Sequence, residues 1–125
     1  MNLFSTSNKG ILSRALLAKL VMGATVYPHI DIGAYYVCRD RYHLVIQSSG
    51  SLMTINGIEY EWKEGELWKF NNKAIHSAKN NKPLDRIHLI FDILPTENIE
   101  WLIKLAEEYN ILDYGKNPLK GINVY

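Results

Sequence analysis

Residues 52–62, Leu-Met-Thr-Ile-Asn-Gly-Ile-Glu-Tyr-Glu-Trp, contain the clearest local structural signal in the chain. Two short runs of β-forming residues flank Asn56-Gly57, a pair that tolerates the positive φ angles of a two-residue turn. This pattern predicts a tight β-hairpin. Further apolar runs lie on both sides of it, separated by turn clusters such as Ser48-Ser49-Gly50, Asn71-Asn72 and Asn80-Asn81-Lys82-Pro83.

Working outward from the hairpin, the sequence predicts mostly β-structure. The runs that predict strands lie at residues 25–32, 41–47, 52–55, 58–62, 66–70, 74–79 and 86–94. Residues 11–22 suit a helix and a buried strand equally well. Residues 97–109 carry apolar side chains at helical spacing after a capping threonine, which predicts one amphipathic helix. Seven or eight short strands before one helix favour an all-β antiparallel barrel or sandwich of the jelly-roll type.

Composition and charge restrict the function classes. The chain has 125 residues, 47% hydrophobic and 22% charged, which is typical of one globular domain and excludes a disordered chain. A net charge of +1 with no basic stretch argues against a nucleic-acid partner, and no apolar run approaches the ~20 residues of a membrane span. A single cysteine, Cys38, excludes an intramolecular disulfide, and the first residues do not resemble a secretory signal. We therefore expect a cytoplasmic protein; nothing in the sequence defines its oligomeric state.

A candidate metal site begins with His29-Ile30-Asp31. In a strand, side chains two positions apart point to the same face, so His29 and Asp31 could converge on one ion. His76, in a later predicted strand, is the candidate third ligand. Two histidines and one carboxylate that leave open positions are typical of non-haem Fe(II) oxygenases. The alternative is that each histidine is a hydrogen-bonded structural residue.

An arginine on the last predicted strand points to an anionic ligand. Arg86 follows His76 by ten positions and shares a strand face with His88, Ile90 and Asp92. A guanidinium that faces a barrel interior is costly unless a carboxylate meets it, and it binds a carboxylate through two parallel hydrogen bonds. A small dicarboxylate held by Arg86 could chelate a metal with its other end.

In this order, the motifs resemble the aspartyl/asparaginyl β-hydroxylase family of Fe(II)- and 2-oxoglutarate-dependent dioxygenases. The resemblance covers about residues 14–95. It includes Arg41-Tyr42-His43 between the candidate ligands, the segment from Gly65-Glu66-Leu67-Trp68 to His76-Ser77, and the closing strand from Arg86 to Asp92.

The resemblance implies a double-stranded β-helix, or cupin-like fold, within a single domain of residues 1–125. It implies that the iron ligands are His29, Asp31 and His76. It implies that Arg86 binds the far carboxylate of 2-oxoglutarate, and that Arg41 and His43 contact its metal-side carboxylate or an anionic substrate group. The partners would be 2-oxoglutarate, dioxygen and an unidentified substrate, such as an Asp, Asn or Pro side chain or an amino-acid-like small molecule.

Two alternatives use the same barrel. One is a non-oxygenase metal-binding cupin that binds a small molecule or sugar or acts as an isomerase, and the other is a structural jelly roll with a decayed site. Arg86 distinguishes the oxygenase from the first alternative, because a cupin that does not use 2-oxoglutarate has no need of an inward arginine at this position. Against the second alternative stands the intact set of candidate residues: His29, Asp31, Arg41, His43, His76 and Arg86.

Overall fold

The computed structural model describes residues 10–108, which form eight strands and two helices. The strands are β1 Gly10–Leu20, β2 Thr25–His29, β3 Asp40–Gln47, β4 Leu52–Ile55, β5 Ile58–Tyr60, β6 Leu67–Phe70, β7 His76–Lys79 and β8 Arg86–Pro95. A four-residue helix, α1 (Ala34–Val37), lies between β2 and β3, and α2 (Thr96–Glu108) follows β8.

The strands form two four-stranded antiparallel sheets. The first sheet has the order β1-β8-β3-β6 and the second has the order β2-β7-β4-β5. Apart from the β4–β5 hairpin, each strand lies in the opposite sheet from the one before it, as in a double-stranded β-helix. The predicted all-β jelly-roll class is therefore confirmed. The ambiguous segment at 11–22 is a strand, because β1 pairs with β8 over ten positions.

The hairpin at the centre of the sequence has the predicted two-residue turn. Ile55 and Ile58 are direct cross-strand partners, and the residues between them, Asn56 and Gly57, have φ angles of 50° and 81°. Positive φ at both positions is the signature of the turn that matches the natural twist of a hairpin. The second strand ends at Tyr60, two residues earlier than predicted.

The apolar core is built from residues of both sheets. Its buried members are Leu20, Val45, Met53, Trp62 and Ala78. The indole of Trp62 stacks on that of Trp68, with ring centroids 5.2 Å apart and planes 11° from parallel. Aromatic pairs of this kind bury large apolar areas and fix the spacing between elements.

The helix α2 agrees with the predicted helix at 97–109, except that residue 109 lies outside the described residues. It lies outside the unit that contains the strands and is described here by itself. Between residues 10 and 108, no helix is long and apolar enough to cross a membrane. The predictions of a single domain and of a cytoplasmic location stay predictions.

Candidate functional site

Two histidines of the second sheet face each other across a strand pair. His29, the last residue of β2, is the register partner of His76, the first residue of β7, and their ring centroids lie 4.3 Å apart. Each Nδ1 lies 2.8 Å from the carbonyl oxygen two residues earlier, Tyr27 for His29 and Ala74 for His76. A carbonyl only accepts, so each Nδ1 carries the proton and each Nε2 is free to bind a metal.

Asp31 joins the two histidines, although not for the predicted reason. The strand prediction of 25–32 is wrong at its end, since β2 stops at His29. Asp31 lies beyond β2, where its backbone N–H donates to the Asn72 carbonyl (3.1 Å) and its carboxylate oxygen Oδ2 accepts from the Asn72 side-chain amide (2.8 Å). Asn72, rather than strand alternation, holds this carboxylate in place.

The three side chains form a compact group of ligand atoms. The Nε2 of His29 lies 3.5 Å from Oδ1 of Asp31, and the Nε2 of His76 lies 3.8 Å from Oδ2. One ligand atom from each residue lies within 4.8 Å of the other two. Two imidazole nitrogens and one carboxylate oxygen suit a divalent transition metal and leave half of an octahedral shell open. The donor set therefore fits an iron ion.

A buried ion pair lies beside this group in the first sheet. Arg41 and Asp92 are register partners, joined by two hydrogen bonds, Nε to Oδ1 (2.8 Å) and Nη2 to Oδ2 (3.0 Å). The Nη1 of Arg41 also reaches Oδ2 of Asp31 at 3.3 Å. Burial alone would raise the pKa of Asp92, but the hydrogen bonds from Arg41 and Tyr35 outweigh it and hold that pKa below its usual value.

Arg86, the first residue of β8, is a buried arginine of the same sheet and differs sharply from the partly buried Arg41. It is 5% exposed, and within residues 10–108 no carboxylate forms an ion pair with it. Its Nη1 contacts only the Met53 sulfur (3.5 Å), and its Nε has no hydrogen-bond partner in the described part of the chain. Burial lowers the pKa of this guanidinium to about 10. Arg86 thus carries an uncompensated positive charge.

The metal-ligand candidates and Arg86 share one cavity. It has a volume of about 210 Å³ and is lined by side chains of both sheets. The second sheet contributes His29 and His76, and the first contributes Arg41, His43 and Arg86. The structure therefore brings the predicted arginines and histidines together around one space, with Asp31 beside the two ligand histidines.

A pair of buried histidines supports the wall of the cavity. The Nδ1 atoms of His43 and His88 lie 2.8 Å apart. Burial lowers the pKa of His43 to about 2, and repulsion from His88 and the nearby arginines adds to this effect. Burial and the charge of Arg86 lower the pKa of His88 to about 3. Both imidazoles are therefore neutral at physiological pH.

Two functional contacts were missed at the level of sequence. The sequence predicts Asn72 as part of a turn and of the motif that leads to His76, and its bond to Asp31 depends on a loop conformation that residue types do not encode. The pairing of Arg41 with Asp92 requires the β3–β8 register. One signal could have suggested it: Asp92 lies on the inward face of β8, where a carboxylate needs a cation.

Together, the fold and the site define a cupin-like barrel with a candidate metal centre and a buried arginine that has no carboxylate partner among the described residues. The sequence profile of the aspartyl/asparaginyl beta-hydroxylase family matches residues 2–95, so the chain belongs to this family. A relative, uncharacterised protein L888 of Acanthamoeba polyphaga mimivirus, is 32% identical over 93 residues, which are 72% of this chain and 34% of that protein. The chain thus spans about a third of the length of this curated relative.

Solved structures with similar folds are cupins or related proteins. The cupin domain of Schizosaccharomyces pombe Cnp3 superposes with a TM-score of 0.57 at 11% identity, covering 73% of this chain and 66% of that one. A predicted oxalate decarboxylase from Thermotoga maritima gives a TM-score of 0.54 at 19% identity, covering 75% of both chains. At these identities the similarity shows the fold, a double-stranded β-helix, and nothing about the reaction.

Proposed function

We propose that this protein is an Fe(II)- and 2-oxoglutarate-dependent oxygenase that hydroxylates an Asp, Asn or Pro side chain or an amino-acid-like small molecule. The residues that would hold the iron are His29, Asp31 and His76. When bound, the iron and 2-oxoglutarate supply the activation of dioxygen, with decarboxylation of the cosubstrate to succinate and transfer of one oxygen atom to the substrate.

The single observation that carries this proposal is the state of Arg86. A buried guanidinium without a carboxylate is costly, and a chain gains from keeping one only where a ligand supplies the missing anion. Arg86 lines the same cavity as His29 and His76. A ligand that satisfies both ends of this cavity has one carboxylate for Arg86 and a second chelating group for a metal, which describes a 2-oxo dicarboxylate.

The remaining polar residues prepare the site. Asn72 and Arg41 both donate to Oδ2 of Asp31, so that Oδ1 is the oxygen left for the metal on the side of His29. Asp92 takes two donors of Arg41 and neutralises most of its charge. Arg86 is therefore the strongest anion-binding group in the cavity. The main role of Arg41 is to orient the carboxylate of Asp31.

The experiment that tests the proposal is an anaerobic titration. Fe(II) and then 2-oxoglutarate are added to the purified protein, and the visible charge-transfer band of the chelate is recorded. We expect a band only when both are present, and a much higher 2-oxoglutarate requirement in Arg86→Ala. Arg39→Ala is the matched control, because it removes an arginine whose side chain does not line the cavity.

The alternative function predicts a different result. If the metal binds and no band forms with 2-oxoglutarate, the protein is a non-oxygenase metal-binding cupin. If His76→Ala bound iron as tightly as the unchanged protein, the ligand assignment itself would be wrong.

A further inference from the structure

We propose that His88 is a positioning residue that fixes the tautomer of His43, so that the Nε2–H group of His43 faces the cavity as a hydrogen-bond donor. The proposal concerns the protein without metal or cosubstrate. Only its consequence for ligand choice rests on the proposed function.

The contact between the two rings requires one donor and one acceptor. The Nδ1 atoms of His43 and His88 lie 2.8 Å apart, which is a hydrogen bond with one shared proton. Both residues are buried, at 5% and 0% exposure, and neither is charged at physiological pH. Each neutral ring carries one N–H, so the pair has two possible arrangements.

The surroundings of His88 select between the arrangements. Its Nε2 is fully enclosed and has no hydrogen-bond partner within residues 10–108. A proton on that atom would be a buried N–H without an acceptor, which is the rarer kind of unsatisfied group in proteins. The proton of His88 therefore lies on Nδ1 and is donated to Nδ1 of His43. His43 must then carry its own proton on Nε2, at the opposite edge of a ring that lines the cavity.

Packing holds both rings in the orientation that makes this contact. The His88 ring lies 6.0 Å from the Trp62 ring with planes 28° apart, and the His43 ring makes edge contacts with Trp62 (5.4 Å) and Phe70 (5.1 Å). A ring flip of either histidine would need space that a close-packed core does not have.

The fixed tautomer determines which ligand groups the cavity can bind. Arg86 carries only donors, and His43 now adds an N–H to the same wall. A carboxylate can accept from both groups, whereas an ammonium or amide N–H can accept from neither. On the proposed function, this explains how a neutral histidine favours the carboxylates of the cosubstrate.

The test is a map of histidine tautomers by NMR on ring-¹⁵N-labelled, metal-free protein. Long-range ¹H–¹⁵N correlations show which ring nitrogen carries the proton, and single His variants assign the four rings. We expect the proton on Nδ1 for three of them, His29, His76 and His88, and on Nε2 for His43 alone. The shared proton should show its one-bond coupling to Nδ1 of His88. A proton on Nε2 of His88, or a bare Nε2 on His43, overturns the proposal.

Two variants test whether His88 causes the arrangement. His88→Leu should abolish the shared proton and release the tautomer of His43, so that its Nδ1 and Nε2 shifts move towards each other. Val45→Ala is the matched control, since Val45 is the buried register partner of His88 on β3 and makes no side-chain hydrogen bond. It should keep both signals. An unchanged Nδ1 shift in His88→Leu contradicts the proposal, and if that variant does not fold, the map of the unchanged protein decides. Because no metal or 2-oxoglutarate is added, this result is independent of the oxygenase proposal.

Discussion

Replacing Arg86 by methionine should stabilise the protein in the absence of ligands. The fall of the Arg86 pKa from the usual arginine value to about 10 reflects the burial of its charge. At about 1.4 kcal/mol for each tenfold change in proton affinity, this fall corresponds to about 3 kcal/mol against folding. Because the folded-state pKa is the lower one, the penalty is fully present at neutral pH and disappears only as the pH rises through about 10 towards the pKa of the unfolded chain. Methionine has a similar length and needs no partner.

The same substitution at Arg41 is the matched control and should have the opposite sign. Arg41→Met leaves the buried Asp92 carboxylate without two hydrogen bonds. Breaking a buried pair in this way typically costs about 3–5 kcal/mol. The two arginines of this sheet should therefore respond in opposite directions, because Arg41 is paired with Asp92 and Arg86 has no carboxylate partner in the described part of the chain.

Urea unfolding of the metal-free protein measures both effects. We expect Arg86→Met to raise the midpoint by about 1 M or more and Arg41→Met to lower it, with similar slopes. Zinc with saturating 2-oxoglutarate should stabilise the unchanged protein, by about 2.7 kcal/mol at a hundredfold excess over Kd, and stabilise Arg86→Met much less. If Arg86→Met loses stability as Arg41→Met does, Arg86 is a structural residue and the case for an anion site fails.

Three further predictions address the support of the site and the hairpin. Asn72→Ala removes the bond to Asp31 and should weaken metal binding about 10- to 100-fold in competition with a coloured chelator; unchanged affinity would contradict a supporting role. Asp92→Asn should be less stable to urea than the unchanged protein at neutral pH. The lowered pKa of Asp92 contributes stability only while the carboxyl is ionised, so this difference in stability should shrink as the pH falls below 3.8. A difference that does not depend on pH would refute this. Gly57→Ala should lower the free energy of unfolding by about 1 kcal/mol, because φ is 81° at this position. No atom lies within 4 Å of the added Cβ, so the cost comes from the backbone conformation and not from a clash. The measurement is a fall in Tm without a change in metal affinity, and an unchanged Tm would argue against the turn type.

The sequence predicts local elements well where one short-range rule decides them. Asn56-Gly57 fixes its hairpin because the turn needs two positive φ angles, whatever the remainder of the chain does. Residues 11–22 are ambiguous because an apolar run satisfies both periodicities, and only the pairing with β8 makes this segment a strand. Strand ends such as that of β2 depend on loop contacts and are missed by two or three residues.

The sequence predicts the residues of the candidate site but not the contacts that support them. His29, Asp31 and His76 stand out by residue type and spacing, and Arg86 stands out because a guanidinium is costly on an inward face. The bond between Asn72 and Asp31 joins residues 41 positions apart through a loop. The bidentate pairing of Arg41 with Asp92 is set by the register of two strands that lie far apart in the chain. No single-sequence rule determines such a register when several inward residues compete for it.

The position of His29 at the end of β2 connects metal binding at the candidate site with the fraying of this strand. Within residues 10–108, β2 is the outer strand of its sheet and pairs with β7 alone, and its ladder is irregular between Val26 and His29. On the proposed function, an ion held by His29 and His76 would add a side-chain link at the point where the backbone ladder is weakest. Fraying of this edge and release of the ion would then be one event. Amide hydrogen exchange in β2 should report metal occupancy, and a chain deprived of iron should open there before the core loosens.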